Sequence, residues 1–273
     1  MKERIFSAFM VIGVIGSVVI LSMFFPITID IFVALMCVLS VFEFCKAVKT
    51  LKTYQISFPS LAFSVVYPML ASFGISVMIC YVYTVIMLSV IVFCHEKISF
   101  KDFSYTFSMT LIITIAMTSI VSLKQIDPNH STMFLVLSMA TPWLADAGAY
   151  FVGVFLGKHK LCPKISPKKT IEGAVGGVIV CVIASMLICF LFEKLIYHDL
   201  TINYFNVFII SFFGAFLSII GDLSFSVIKR SYSVKDYGDL IPGHGGILDR
   251  FDSVIFFAPF LSIVSNYLPV MIK

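Results

Sequence analysis

Residues 205–228 read FNVFIISFFGAFLSIIGDLSFSVI, an apolar stretch long enough to cross a lipid bilayer as one helix. One charged residue, Asp222, interrupts it. The next residues, 229–252, read KRSYSVKDYGDLIPGHGGILDRFD and are rich in Lys, Arg, Asp and Gly. Another apolar stretch follows almost at once, at Val254–Met271. Long apolar segments therefore determine the fold, and a polar, chemically reactive run lies at the boundary between two of them.

The composition of the whole chain is typical of an integral membrane protein. Of the 273 residues, 60% are hydrophobic and 12% are charged, and the mean hydropathy is +1.05. Soluble domains carry about 25% charged residues. We therefore predict an all-α, polytopic integral membrane protein. The net charge of +4 is small, and no nucleic-acid partner is expected.

Apolar runs of about 20 residues predict nine transmembrane helices. The region Phe58–Cys94 is too long for one helix and has Gly74 near its middle, so we predict two short spans there. The alternative is a single tilted helix with a re-entrant piece. The other predicted spans are Ile5–Phe25, Ile29–Phe44, Phe103–Leu123, Thr132–Phe155, Gly173–Phe192, Phe205–Ile228 and Val254–Met271.

The distribution of basic residues predicts the orientation of these spans. With the amino terminus in the cytoplasm, one side of the membrane receives all but three of the 19 Lys and Arg residues. The three on the other side are Lys124, Lys194 and Lys273. This asymmetry follows the positive-inside rule. We predict a multi-pass protein of the cell inner (cytoplasmic) membrane with its amino terminus in the cytoplasm.

The readable chemistry is confined to the second half of the chain. Residues 1–130 are predicted to be transmembrane helices without a readable motif. Residues 131–273 are predicted to form a catalytic transmembrane region, with cytoplasmic loops at 157–171 and 229–253.

Acidic residues inside apolar helices are candidates for function. A charged side chain at the centre of a bilayer costs roughly 2.5–3.5 kcal/mol on insertion scales. Asp146 and Asp222 should therefore face a partner or a wet cavity, whereas the small residues around Asp146 indicate close helix packing. Glu43 is either an interfacial charge near Lys46 or part of a structural ion pair, and we assign it to no site.

A second polar cluster precedes the predicted span at Gly173. Lys168, Lys169 and Thr170 stand immediately before the expected helix start. The positive end of a helix dipole and its free N–H groups favour phosphate. We therefore expect Lys168 and Lys169 to bind phosphate, and the other lysines of this loop to be ordinary positive-inside charges.

The third cluster combines acids, cations and a flexible turn. Asp249 and Asp252 are three residues apart and would point to similar sides of one helical turn. Together with Asp222 they could hold Mg²⁺ through oxygen ligands. The turn Pro242–Gly246 carries His244 between glycines, which lets the backbone approach a ligand closely.

The run from Ser226 to Asp252 resembles the signature of the phosphatidate cytidylyltransferases, also called CDP-diacylglycerol synthases. The matching positions in the run are Ser226, Lys229, Arg230, Lys235, Asp236, Gly238, Pro242, His244, Gly245, Gly246, Asp249, Arg250 and Asp252. Two further blocks are similar to the family: Trp143, Asp146 and Gly148–Phe151 in one, and Ile165–Thr170 with Glu172 and Gly173 in the other. Together the blocks cover about the carboxy-terminal half.

The resemblance implies synthesis of CDP-diacylglycerol and pyrophosphate from CTP and phosphatidate in phospholipid biosynthesis. Mg²⁺, alone or with a second cation, is the expected cofactor. The expected partners are CTP, phosphatidate and membrane lipids, and a homodimer is an open option. The expected catalytic residues are Asp222, Asp249, Lys229, Arg230 and Arg250; the metal ligands are Asp222, Asp249, Asp252 and Asp146; the substrate-binding residues are Lys168, Lys169, Thr170, Ser226, Lys235, Asp236, His244, Gly245 and Gly246.

Two other functions stay open from the sequence. A CTP-dependent polyprenol or other lipid kinase would also need a metal, a cytidine nucleotide and a membrane acceptor, but lacks a match to residues 226–252. An ion-coupled transporter could use Asp146 and Asp222 as a relay, although transporters usually show inverted repeats.

Overall fold

The computed structural model describes residues 2–240 and 245–272, with side chains from Gly13 onward. It is 77% helical. The helices are α1 (Lys2–Phe24), α2 (Ile27–Ala47), α3 (Tyr54–Leu70), α4 (Ser76–Cys94), α5 (Phe100–Ile126), α6 (Ser131–Leu156), α7 (Ile171–Leu191), α8 (Tyr204–Ser231), α9 (Leu248–Phe251) and α10 (Val254–Val264). Short strands β1 (Lys160–Cys162) and β2 (Ser166–Thr170) form one antiparallel pair, and β3 (Thr201–Ile202) and β4 (Met271–Ile272) form another.

Seven helices, α2 to α8, are long and apolar enough to cross a membrane within the described residues. This confirms the predicted class, an all-α polytopic membrane protein. It does not reach the predicted count of nine. The described side chains of α1 cover only Gly13–Phe24, and α10 has 11 residues.

The predicted break near Gly74 is confirmed. The helix α3 ends in a single 3₁₀ turn at Ala71–Phe73, and Gly74 follows with a φ of 74°. Glycine adopts this left-handed conformation at no steric cost, so it can reverse the chain tightly between two helices. The helix α4 then begins at Ser76.

The predicted span Val254–Met271 is wrong over its last seven residues, because the helix ends at Val264. Eleven residues rise about 16 Å, roughly half of a hydrocarbon core. The polar pair Ser265 and Asn266 follows, and Leu268 precedes a proline, which disfavours helical backbone. The end of the chain instead pairs β4 with β3.

The chain divides into two compact units. One contains residues 1–122 and 232–251, and the other contains residues 123–231 and 252–273. In the first, α3, α4 and α5 share an aromatic core in which the rings of Phe63 and Tyr83 stack 4.2 Å apart. The predicted division at residue 130 separates helices without a readable motif from the catalytic region. It is a division by function, and it stays a prediction.

In the second unit, α6 and α7 pack closely because small residues line their contact. A Cβ atom on Gly148 would lie 2.6 Å from Cβ of Val180, and one on Gly177 would lie 2.9 Å from the carbonyl oxygen of Ala145. Such distances leave no room for a larger side chain. The small residues around Asp146 are therefore packing residues, as the sequence indicated.

Candidate active site

The β1–β2 hairpin delivers the predicted lysines to the start of α7. Thr170 is the N-cap residue, and its hydroxyl accepts a hydrogen bond from the backbone N–H of Gly173 at 3.1 Å. Thr at this position satisfies one of the free N–H groups of a helix start. The predicted helix start is thus confirmed, and Thr170 has a structural contact of its own.

Glu172 ties the base of the hairpin to α7. Its carboxylate accepts the backbone N–H of Lys158 at 3.0 Å and that of His159 at 3.2 Å. The ring Nδ1 of His159 lies 2.6 Å from the same carboxylate. These contacts fix the hairpin, and hence Lys168 and Lys169, relative to the helix.

Three of the four predicted metal ligands belong to the second unit. Asp146 lies on α6, Asp222 on α8, and Asp252 in the turn between α9 and α10. The hydroxyl of Ser253 donates to Oδ2 of Asp146 at 2.8 Å, while its backbone N–H donates to Oδ1 of Asp252, also at 2.8 Å. Ser253 therefore links two of the three acids.

Two lysines neutralise these acids. Nζ of Lys169 forms an ion pair with Oδ2 of Asp222. Nζ of Lys229 lies 3.9 Å from Oδ2 of Asp252, and both of these side chains are buried. The result is a cluster of alternating charge, which we call the acid–lysine cluster: Asp146, Lys169, Asp222, Lys229 and Asp252.

The electrostatics of the cluster favour an additional positive charge. Burial raises the pKa of Asp252 well above its usual range, and the nearby charges of Asp222 and Asp146 raise it further, while Lys229 opposes them. Asp252 is only 5% exposed, so water screens this repulsion poorly. A cation beside Asp252 would relieve it.

The donor set fits a hard dication held together with phosphates. Within the described residues, no group of three His, Cys, Asp or Glu side chains forms a ready-made metal cage. Mg²⁺ usually uses only one or two protein carboxylates and takes its other ligands from water and substrate phosphates. Asp222 and Asp252 are carboxylates of this kind, so they would be the residues to hold such an ion.

Asp249, the fourth predicted metal ligand, lies in the first unit and organises the loop before it. Its Oδ2 accepts the backbone N–H of Tyr237 at 2.8 Å and that of Gly246 at 3.0 Å. Gly245 has a φ of 84°, and a Cβ atom there would lie 3.2 Å from the same oxygen. A glycine is therefore required where the backbone folds around Asp249.

Glu43 is the functional candidate that sequence reasoning left unassigned. Its side chain is 1% exposed, and its carboxylate accepts the backbone N–H groups of Ile247 and Leu248. Lys46, the expected neighbour, instead lies 3.7 Å from Asp239 at the surface. The signal in the sequence was the cost of a lone acid in an apolar helix, which demands a partner.

The remaining predicted residues differ in exposure. Lys229 is buried beside Asp252, whereas its neighbour Arg230 is exposed, because positions 222, 226 and 229 share one face of α8. Ser226 is buried on this face, and Ser253 was not predicted at all. The exposed side chains are those of Lys168, Arg230, Lys235, Asp236 and Arg250. His244 lies outside the described residues.

In the part of the chain that the structure describes, seven long apolar helices and a cluster of paired acids and lysines in the second unit define a polytopic membrane protein with a charged candidate site. The chain belongs to the cytidylyltransferase family, whose family model matches residues 2–268. This is the same class that the run 226–252 resembles.

Individual relatives carry a more specific name. The chain is 35% identical over 176 residues to the phosphatidate cytidylyltransferase of Bacillus subtilis (strain 168), which covers 64% of this chain and 63% of the relative. It is 36% identical over 179 residues to that of Staphylococcus haemolyticus (strain JCSC1435), covering 66% of this chain and 65% of the relative. The protein of the same name from Haemophilus influenzae is 40% identical over 136 residues, or 50% and 46% of the two chains. The chain thus matches less than two thirds of the length of each of these relatives.

Proposed function

We propose that this protein makes CDP-diacylglycerol and pyrophosphate from CTP and phosphatidate. Membership of the cytidylyltransferase family and the name of the relatives support this reaction. The observation that carries the proposal is the acid–lysine cluster, in which Lys169 pairs with Asp222 and Lys229 lies beside Asp252. CTP and phosphatidate are both polyanions, so their approach requires cations to neutralise phosphate charge and carboxylates that can hold a metal ion.

The reaction needs charge neutralisation more than proton transfer. An oxygen of the phosphatidate phosphate forms a bond to the α-phosphorus of CTP, and the bond from that phosphorus to the bridging oxygen of the β-phosphate breaks. The second pKa of a phosphate monoester is about 6, so the attacking group is largely deprotonated at pH 7. No strong general base is required.

We assign roles by charge type. Asp222 and Asp252 would hold Mg²⁺. Asp146 would support Asp252 through Ser253, which contacts both acids. Asp249 would be a further acid of the same polar run. The ion would neutralise the triphosphate of CTP and stabilise the leaving pyrophosphate; a second cation is an option. Lys169, Lys229, Arg230 and Arg250 would stabilise the charge of the reacting phosphates. The substrates would further contact Lys168, Thr170, Ser226, Lys235, Asp236, His244, Gly245 and Gly246.

We also propose the placement of the protein. The distribution of basic residues supports a cytoplasmic amino terminus and cytoplasmic loops at 157–171 and 229–253. The bacterial relatives and the access to CTP that the reaction requires support a location in the cell inner membrane. Surrounding membrane lipids would contact the apolar helix faces, and a homodimer stays an option.

The test is a product assay on the purified protein in detergent micelles. With CTP, Mg²⁺ and phosphatidate, we expect equimolar CDP-diacylglycerol and pyrophosphate. Replacing phosphatidate by a polyprenol tests the kinase alternative, whose products would be CDP and a phosphorylated lipid. Omission of Mg²⁺ with added chelator is the matched control. The proposal fails if phosphatidate and CTP stay unconsumed, or if CDP appears with the polyprenol instead.

A further inference from the structure

Glu43 on α2 holds the end of the polar run from a helix far away in sequence. One carboxylate oxygen, Oε1, accepts the backbone N–H of Ile247 at 3.0 Å, and the other, Oε2, accepts that of Leu248 at 2.9 Å. These residues lie about 205 positions apart in the chain. Because Glu43 is almost fully buried, these hydrogen bonds are formed in a poorly hydrated environment, where losing one is costly.

The carboxylate of Glu43 lies against two glycines of the polar run. A Cβ atom on Gly238 would lie 2.7 Å from Cδ of Glu43, and one on Gly246 would lie 2.7 Å from the same atom. Both distances are shorter than Cβ contacts in real structures, so a side chain at either position would displace the Glu43 carboxylate. Backbone conformation does not explain these two glycines, because the described glycines with a positive φ are Gly74 and Gly245. The close approach of Glu43 accounts for both glycines.

A second contact reinforces the first. The ring of Phe44, the next residue of α2, lies 6.2 Å from the ring of Tyr237, which is itself buried. The backbone N–H of Tyr237 is bound by Asp249. Thus α2 holds both branches of the loop that Asp249 closes, at residues 237–238 and at residues 246–248.

We infer that Glu43 is a positioning residue for the reaction: its carboxylate sets the geometry of the loop that carries Asp236, Gly245, Gly246, Asp249 and Arg250. This inference rests on the proposed function for its effect on turnover. Its structural part, the anchoring of the loop by Glu43, does not. Both carboxylate oxygens are used as acceptors, so the charge-neutral amide cannot replace them.

The decisive variant is Glu43→Gln, which keeps the shape of the side chain. One acceptor oxygen becomes an NH₂ group, and a donor then faces a backbone donor at Ile247 or Leu248. Gly238→Ala attacks the same contact from the loop. Ser40→Ala, a buried polar change on α2 away from the loop, and Asp239→Asn, an exposed change within the loop, are the matched controls.

Two measurements are compared for every variant. Amide hydrogen exchange of the segment 245–251 should become at least about tenfold faster in Glu43→Gln and Gly238→Ala than in the controls. The kcat/KM for CDP-diacylglycerol formation should fall by about tenfold to a hundredfold, since small misplacements of reacting groups have effects of this size. Combining both substitutions should add little to either one, because they break the same contact.

Each outcome decides the inference. Wild-type exchange and turnover in Glu43→Gln would overturn it. A loss of activity that only tracks the fraction of folded protein, with additive effects in the double variant, would reduce Glu43 to a structural residue and also overturn it. If the wild-type protein forms no CDP-diacylglycerol, the proposed function falls, and the exchange comparison alone decides whether Glu43 anchors the loop.

Discussion

Lys169 of strand β2 and Asp222 of helix α8 form an ion pair, although 53 positions separate them in the sequence. Both side chains are only partly exposed, at 25% and 21%. The hairpin reaches α8 because α7, which it precedes, packs against that helix. In the proposed function, Lys169 would bind phosphate and Asp222 would hold Mg²⁺, so each residue now occupies the position that a substrate group or the metal would take. Binding of metal-bound CTP would exchange both partners at once.

Lys169→Ala should weaken the apparent affinity for CTP more than it changes the response to Mg²⁺. A hydrogen bond to a charged group contributes about 1.5–3 kcal/mol, so the KM for CTP should rise by about tenfold or more. Asp222→Asn should do the reverse and raise the Mg²⁺ concentration needed for half-maximal rate. Steady-state kinetics with CTP and Mg²⁺ varied independently measure both effects.

The control for this pair is Lys164→Ala, an exposed lysine of the same hairpin turn. It should leave both constants unchanged. If Lys168→Ala and Lys169→Ala also leave the CTP kinetics unchanged, the hairpin serves only as a positive anchor at the membrane surface.

Asp249→Asn should remove activity without removing the fold. An amide oxygen has two lone pairs, so it can still accept the N–H groups of Tyr237 and Gly246 that Asp249 binds. The negative charge is lost, and kcat/KM should fall by about a hundredfold or more. The exposed Asp239→Asn is the matched control. Near-normal turnover, with unchanged yield in the membrane, would remove Asp249 from the catalytic residues.

Asp252→Asn should stabilise the protein while it inactivates it. The raised pKa of Asp252 means that the folded state favours the protonated carboxyl. The contribution of Asp252 to the free energy of unfolding is therefore most favourable at low pH, and it falls as the pH rises from the ordinary Asp value of about 3.9 to the raised one. Asparagine carries no charge, so this loss disappears.

Thermal unfolding in detergent with chelator measures this effect. The Tm advantage of Asp252→Asn should grow from pH 5 to pH 7, by about 2–4 °C for each kcal/mol. Asp199→Asn, an exposed acid elsewhere in the same unit, should show no such trend. An equal or lower Tm for Asp252→Asn at pH 7 would contradict the unfavourable burial of this charge.

Much of the fold could be predicted because apolar length is a local property. Eight of the nine predicted spans coincide with helices α1 to α8, and the break at Gly74 was correct. The last span was predicted too long because residues 254–271 are mostly apolar. Hydropathy gives little weight to the polar pair Ser265 and Asn266 and to Pro269, which end the helix early. Membrane-scale hydropathy does not distinguish a short helix with an extended tail from a longer helix.

The site could be predicted by residue type but not by partner. Asp146, Asp222 and Asp252 stood out as acids near apolar helices, yet their lysines are contributed by a hairpin and by α8 itself. The sequence could favour Lys229 over Arg230 as the partner of an acid only through helix periodicity, and that requires knowing which face of α8 is buried. Glu43 could not be assigned, because its partners are backbone groups about 205 residues away, which no side-chain pattern reveals.

The membrane topology gives a final prediction, for which the structure supplies suitable labelling positions. Single cysteines at Lys164→Cys and Asp239→Cys should face the cytoplasm, and those at Asn129→Cys and His198→Cys should face the other side. All four side chains are exposed.

Contacts within the second unit bring together the two loops that carry Asn129 and His198. Nε2 of His130 lies 3.9 Å from Asp199, and the ring of His130 meets that of Tyr197 edge to face at 4.6 Å. The loops that carry Asn129 and His198 therefore lie on the same side of the second unit. A membrane-impermeant maleimide should label these two positions in intact cells, and Lys164→Cys and Asp239→Cys only after permeabilisation. Labelling of Asp239→Cys from outside would contradict both the predicted orientation and the access of the loop to cytoplasmic CTP.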